Sequence, residues 1–128
     1  MAGPSVDPVG GSRHPLDPRI HAARPFAGQA AAAANLDRLI TGSAINESHV
    51  NCGRVQDAYS MRCAPQVHGA AREALAWVRG IVETEMNAAT DNPMVFPDEG
   101  DIVSGGNFHG APLAMAADLL ALAMAQLA

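Results

Sequence analysis

QVHGAAREALAWVRGIVETEMNAAT, residues 66–90, carries apolar side chains at Val67, Ala71, Ala74, Leu75, Val78, Ile81, Val82, Met86 and Ala89. Steps of three and four place them on one face of an α-helix. At 1.5 Å per residue that helix is roughly 37 Å long, beyond the typical globular helix, and it points to a bundle. Thr90-Asp91-Asn92-Pro93 stops it, because proline disfavours helix in the residue before it.

Upstream of this helix, the alanine run 30–34 predicts another over about Gly28 to Thr41, closed by Gly42. Residues 43–65 lack a long period and predict a loop with one or two short helical turns. Residues 1–18 hold Pro4, Pro8, Pro15 and Pro18 among glycines and serines and predict irregular chain. Downstream, residues 93–110 predict an irregular or hairpin-like excursion, and a last helix starts near Pro112, a residue suited to a first turn. Leu119 to Ala128 has no charge and no capping glycine, and its faces are nearly all apolar. Such a helix needs burial among partners that 128 residues hardly supply, so we expect a chain truncated at both ends, or a piece of an obligate oligomer.

Composition agrees with helices. Of the residues, 48% are hydrophobic and only 4% aromatic, so small side chains must pack closely approaching helices rather than a β-sandwich. The net charge is −5 with no basic stripe, which argues against nucleic acid as a partner. No basic n-region precedes an apolar h-region, and the apolar stretch Ala111 to Ala128 is interrupted by Asp118 and too short to span a bilayer. A cytoplasmic protein without membrane partners is the expectation. Cys52 and Cys63 make no disulfide framework, and His49, Cys52, Cys63 and His68 match no common zinc spacing, so no metal is expected.

The chemistry-bearing run lies just before the long helix: Arg54-Val55-Gln56-Asp57-Ala58-Tyr59-Ser60-Met61-Arg62-Cys63, then Pro65-Gln66-Val67-His68-Gly69. If helical, Gln56, Tyr59 and Arg62 share a face and offer an amide, a phenol and a guanidinium to one ligand. A guanidinium grips a carboxylate bidentately. From spacing alone an ordinary polar face, with a surface tyrosine and Arg62 paired to Asp57, is the favoured reading.

This run resembles the central signature of the aromatic amino acid ammonia-lyase family, in its histidine-directed branch. Asp17-Pro18-Arg19-Ile20-His21-Ala22-Ala23-Arg24-Pro25 with Gly28-Gln29 resembles the same family upstream. Glu85-Met86-Asn87-Ala88-Ala89-Thr90-Asp91-Asn92-Pro93 and Ser104-Gly105-Gly106-Asn107-Phe108-His109-Gly110 resemble it downstream. The four motifs cover about residues 15–128; Met61 stands where leucine is commoner.

The resemblance implies an all-α fold, a long-helix bundle segment of the fumarase/aspartase-like ammonia-lyase architecture. Residues 15–128 would be the central helical part of one domain, behind an irregular segment 1–14. It implies a carbon–nitrogen lyase that eliminates ammonia from L-histidine to give trans-urocanate, built as a homotetramer. Its electrophile is methylidene-imidazolone, made from an internal Ala-Ser-Gly. By the same resemblance Arg62 binds the substrate carboxylate, and Gln56 lines the substrate and cofactor pocket. Tyr59 lies beside the cofactor as the candidate for proton transfer, while Phe108 and Asn107 belong to the same pocket. No Ala-Ser-Gly occurs in this sequence, and Val103 precedes Ser104-Gly105. The chain alone is therefore expected to be inactive, and the Ser104-Gly105-Gly106 glycines to serve a turn of positive φ. Two alternatives stay open: a lyase or aminomutase acting on phenylalanine or tyrosine, and an inactive helical remnant. His21 and His109 look structural, His68 either structural or specificity-setting, and Trp77 suits a helix–helix or subunit contact.

Overall fold

The computed structural model describes residues 12–50, 53 and 55–128. It is mostly helical with one two-stranded sheet. It divides into two compact units: described residues up to Glu73 with Gln126–Ala128, and Ala74–Ala125.

In the first unit a 3₁₀ turn, His14–Leu16, leads into α1 (Pro18–Ala23). Asp17 caps α1 by accepting the Arg19 amide at 2.9 Å, and Pro18 takes the first-turn position where its missing N–H costs nothing. The Arg19 side chain hydrogen-bonds the same carboxyl and holds its pKa down at about 2. Phe26 is extended and separates α1 from α2 (Ala27–Ile40). The alanine run carries α2, and Gly42 stops it with φ 76°, as expected. Ala32, Ala33, Leu36 and Ile40 line its buried face; Leu36 and Ile40 join Leu16 and Ala64 in a core against which Met61 packs. The loop that follows holds two short helices, α3 (Ala44–Ser48) and α4 (Tyr59–Arg62).

The long helix, α5, runs Ala64–Glu85, two residues earlier and five shorter at its end than its apolar period suggests. It starts early because Pro65 is tolerated in a first turn. It ends early because Asn87 turns its side chain back onto the Glu83 carbonyl at 2.7 Å, and the amides of Asn87 and Ala88 make only three-residue bonds to Thr84 and Glu85. Val78 is buried and Val67, Ala71, Ala74 and Ile81 are half-buried, whereas Leu75, Val82 and Met86 stay exposed.

The absence of bulky side chains lets α2 and α5 approach until their backbones touch. A Cβ on Gly69 would stand 2.5 Å from Gln29 Cα and 2.6 Å from its nitrogen, and one on Gly28 would stand 2.5 Å from the Gly69 oxygen. Phe26 gives α2 no side-chain cap; Glu73 of α5 provides it instead, its Oε1 accepting the Gly28 amide at 2.6 Å.

In the second unit, residues 93–110 form a hairpin and a turn. β1 (Met94–Phe96) pairs antiparallel with β2 (Asp101–Val103) in the register Met94↔Val103, Val95↔Ile102, Phe96↔Asp101. Gly100, at φ 76°, closes its four-residue loop with an amide bond to the Phe96 oxygen. The positive φ expected at Gly105 and Gly106 is not there. The Gly105 amide is instead held by Asn92 Oδ1 at 2.8 Å, which fixes the turn without a left-handed residue. α6 (Ala111–Ala125) begins on the His109 ring, whose Nδ1 accepts the Ala111 amide, and leaves Leu113, Met115, Leu122 and Met124 exposed.

Candidate functional site

Gln56, Asp57 and Ala58 are not helical, so the single helix face suggested for Gln56, Tyr59 and Arg62 does not form. Ala58 is extended, with ψ 145°, and α4 starts only at Tyr59. The Ala58 oxygen accepts the amides of Met61 at 3.1 Å and Arg62 at 3.0 Å, so one turn carries Tyr59 and Arg62 while Gln56 stands in the loop leading into it. Met61 points from that turn into the core, which fixes its inner side.

The Arg62 guanidinium lies 5.9 Å from the centroid of the Tyr59 ring, within cation–π range, worth about 0.5–1 kcal/mol at an exposed site. Tyr59 is 72% exposed and Gln56 is exposed; neither side chain makes a hydrogen bond to another described residue. Arg62 is half-buried and forms no ion pair among the described residues. The Asp57 partner that a plain polar face suggested is engaged elsewhere: its Oδ2 accepts the Ser12 amide at 2.7 Å. Among the described residues, then, the Arg62 guanidinium meets no acid, and it lies beside a phenol whose hydroxyl has no partner.

Asn107 and Phe108 lie in the second unit, between β2 and α6. Phe108 is exposed, and Asn107 Nδ2 reaches the Ala89 oxygen only at 3.5 Å, a weak bond that leaves its amide free to serve another partner. The structure thus brings Tyr59 and Arg62 together, with Gln56 adjacent in the chain.

His21 is 3% exposed, with Nε2 3.1 Å from the Pro15 oxygen and Nδ1 3.0 Å from Gln29 Nε2. The carbonyl requires an N–H at Nε2, so Nδ1 accepts from the Gln29 amide, and His21 is a structural tie between the 3₁₀ turn and α2. His49 bonds the Ile45 oxygen, and Cys52 lies outside the described residues. Among the described residues no group of three His, Cys, Asp or Glu could hold a metal ion.

Burial holds the His68 pKa below the ordinary 6.5. The neutral ring is favoured on folding, so its contribution is complete above about pH 6.5 and is lost as pH falls below that value toward the lower folded pKa. The thermal midpoint is expected to drop between pH 7 and 5.5, and His68→Gln should flatten that slope; identical slopes would remove His68 from the account.

Two residues that hold this region carry no sign of it in the local sequence. Asp57 lies inside the signature, but its partner is at residue 12; Glu73 caps a helix that begins at Ala27. Neither long-range pairing leaves a local signal.

The model of the family described as aromatic amino acid lyase matches residues 1–128, and the chain belongs to that family. It is 58% identical over 120 residues to a histidine ammonia-lyase of Anaeromyxobacter sp. (strain K), covering 92% of this chain and 24% of that protein. Among solved structures it is similar to histidine ammonia-lyase from Trypanosoma cruzi, with a TM-score of 0.74 and 47% identity over 90% of this chain and 20% of that one. It is also similar to phenylalanine aminomutase from Pantoea agglomerans, with a TM-score of 0.89 and 26% identity over 98% of this chain and 28% of that one. The architecture is that of the helical ammonia-lyases. The chain spans about a quarter of the length of the curated relatives it matches.

Proposed function

We propose that this chain forms the carboxylate-gripping wall of an ammonia-lyase that converts L-histidine to trans-urocanate and ammonia. The Cα–N bond breaks, a β-proton leaves, and the Cα–Cβ double bond forms. One observation carries this: within the family signature, Arg62 has no acid partner among the described residues and lies against Tyr59. Its guanidinium binds the substrate carboxylate bidentately and orients the amino acid. Tyr59 handles the proton and Gln56 lines the substrate pocket; Phe108 and Asn107 are assigned a pocket role by the family resemblance of their own motif.

The group proposed opposite this wall is methylidene-imidazolone, which supplies the electrophile that makes ammonia a better leaving group. Its Ala-Ser-Gly precursor is absent from this sequence and would come from another part of the polypeptide. The donor set here suits such a group: the Tyr59 phenol and the Gln56 amide, both exposed and without a side-chain partner among the described residues, are hydrogen-bond donors that could face its carbonyl. Residues 15–128 are then the central helical part of a longer catalytic domain. The apolar side chains exposed along α6 support assembly into a homotetramer, as continuous apolar patches mark contact surfaces. We place the enzyme in the cytoplasm.

Arg62→Met in the complete enzyme is expected to raise KM for L-histidine roughly thirtyfold, about 2 kcal/mol for a lost charged hydrogen-bond partner. An unchanged KM removes the carboxylate role. A second reading, an aminomutase or lyase acting on phenylalanine or tyrosine, draws on the TM-score of 0.89 to the Pantoea aminomutase. Offering the three amino acids to the complete enzyme, and following the conjugated acid by ultraviolet absorbance, separates them. Turnover of tyrosine or phenylalanine without histidine overturns the first choice.

A further inference from the structure

We infer that Asp57 is a positioning residue: its carboxylate ties the site loop to the backbone of Ser12, setting the turn that presents Arg62 while keeping an acid off the guanidinium. This rests on the carboxylate-binding role proposed for Arg62.

Residues 55–58, which lead into α4, have little of their own to hold them. Val55 is 93% exposed, Gln56 and Ala58 are exposed, and only Asp57 is drawn inward. What holds them is the charge-assisted bond from the Ser12 amide at 2.7 Å, a class of bond stronger than a neutral one.

Ser12 is itself fixed. Its hydroxyl accepts the His14 amide at 3.1 Å, and the next residue, Arg13, reaches Asp37 of α2 with Nε at 2.9 Å and Nη2 at 2.7 Å. Two residues after His14, Leu16 sits in the core beside Leu36 and Ile40. Asp57 therefore fastens the loop to a strap held at both α2 and the core.

The consequence reaches Arg62 in one step. The Ala58 carbonyl, next in the chain after Asp57, accepts both the Met61 and the Arg62 amides. A loop that shifts moves that carbonyl, and with it the turn carrying the guanidinium. The same bond also decides a competition. Asp57 is the acid nearest in sequence to Arg62; released from Ser12, it becomes a counter-ion that the substrate carboxylate must displace.

Four variants of the complete enzyme test this: Asp57→Ala, Ser12→Pro, the double variant, and Ser12→Ala. Ser12→Pro removes the amide donor without touching the loop, and Ser12→Ala keeps the donor. KM for L-histidine is expected to rise about tenfold in each of the first two, as for one charge-assisted hydrogen bond. The double variant should be no worse than the poorer single one, and Ser12→Ala should stay within about twofold. A smaller folded fraction lowers the apparent kcat but leaves KM in place, so KM separates positioning from instability. A KM unmoved by Ser12→Pro overturns the proposal, as does simple multiplication of the two effects.

Hydrogen exchange gives a readout independent of turnover. The amides of residues 55–62 should exchange faster in Asp57→Ala and Ser12→Pro, with α2 and α5 unaffected; unchanged exchange rules out the tie. Should the parent enzyme leave L-histidine untouched while exchange responds as described, the substrate assignment falls and the tie stands.

Discussion

Tyr59→Phe in the complete enzyme is expected to lower kcat for L-histidine by about 10²- to 10³-fold, the usual contribution of a positioned proton-transfer group. The substitution is clean because of how Tyr59 is held. Its ring lies under the Arg62 guanidinium and its backbone carbonyl accepts the Cys63 amide at 2.8 Å. A phenylalanine keeps both contacts. The hydroxyl makes no bond to another described residue, so removing it leaves no orphaned partner there and no cavity to collapse. KM should accordingly stay within about threefold, since the carboxylate grip belongs to Arg62. A rate within threefold of the parent ends the proton-transfer role; a large rise in KM with unchanged kcat recasts Tyr59 as a binding residue.

Gly69→Ala is expected to be the most destabilising small substitution in the first unit. Its methyl would stand 2.5 Å from Gln29 Cα and 2.6 Å from Gln29 nitrogen, both backbone atoms that cannot rotate away. Relief requires parting α2 from α5, which also strains the Gln29–His21 bond and the Glu73 cap. Overpacking of this kind costs about 1–3 kcal/mol or more, and a backbone-to-backbone clash lies at the upper end. Gly28→Ala meets the same crossing, 2.5 Å from the Gly69 oxygen, so the double variant should lose less than the sum of the singles, the helices having already parted. Gly80→Ala, on the same helix, has nothing described within 4 Å and should stabilise by about 1 kcal/mol through helix propensity alone. Denaturant unfolding of the four variants checks the signs. A Gly69→Ala variant as stable as the parent would mean that the crossing is not close-packed.

Much of the helical framework was legible because its signals are local. The alanine run and Gly42 delimit α2, and Gly100 marks the tight turn of the hairpin, whereas the long helix ends at Glu85, short of the stop that Pro93 suggests. The polar run before α5 was harder. Three residues at helical spacing suggest a face, but the extended Ala58 puts Gln56 outside the helix, and no side-chain cap at that position announces the break. The contacts that fix the candidate site were not legible at all. Ser12 with Asp57 and Gly28 with Glu73 are each 45 residues apart, and Arg62 could be seen to lack an acid only once Asp57 was found on another partner. A pattern of spacing reports which residues share a surface; it does not report which of two acids an arginine will meet.

The cap that Glu73 lends to α2 has a consequence for the order in which the chain acquires structure. Helix nucleation is unfavourable, and α2 begins without a side chain of its own to satisfy its first amides. The missing acceptor arrives only when a segment on the far side of the site loop has docked, bringing a carboxylate to the positive end of the helix. The alanine run made without residues 64–85 is therefore expected to fray at its first turn, and that turn to gain protection from hydrogen exchange only when the long helix is present. Local propensity starts this helix, but a later part of the chain finishes it.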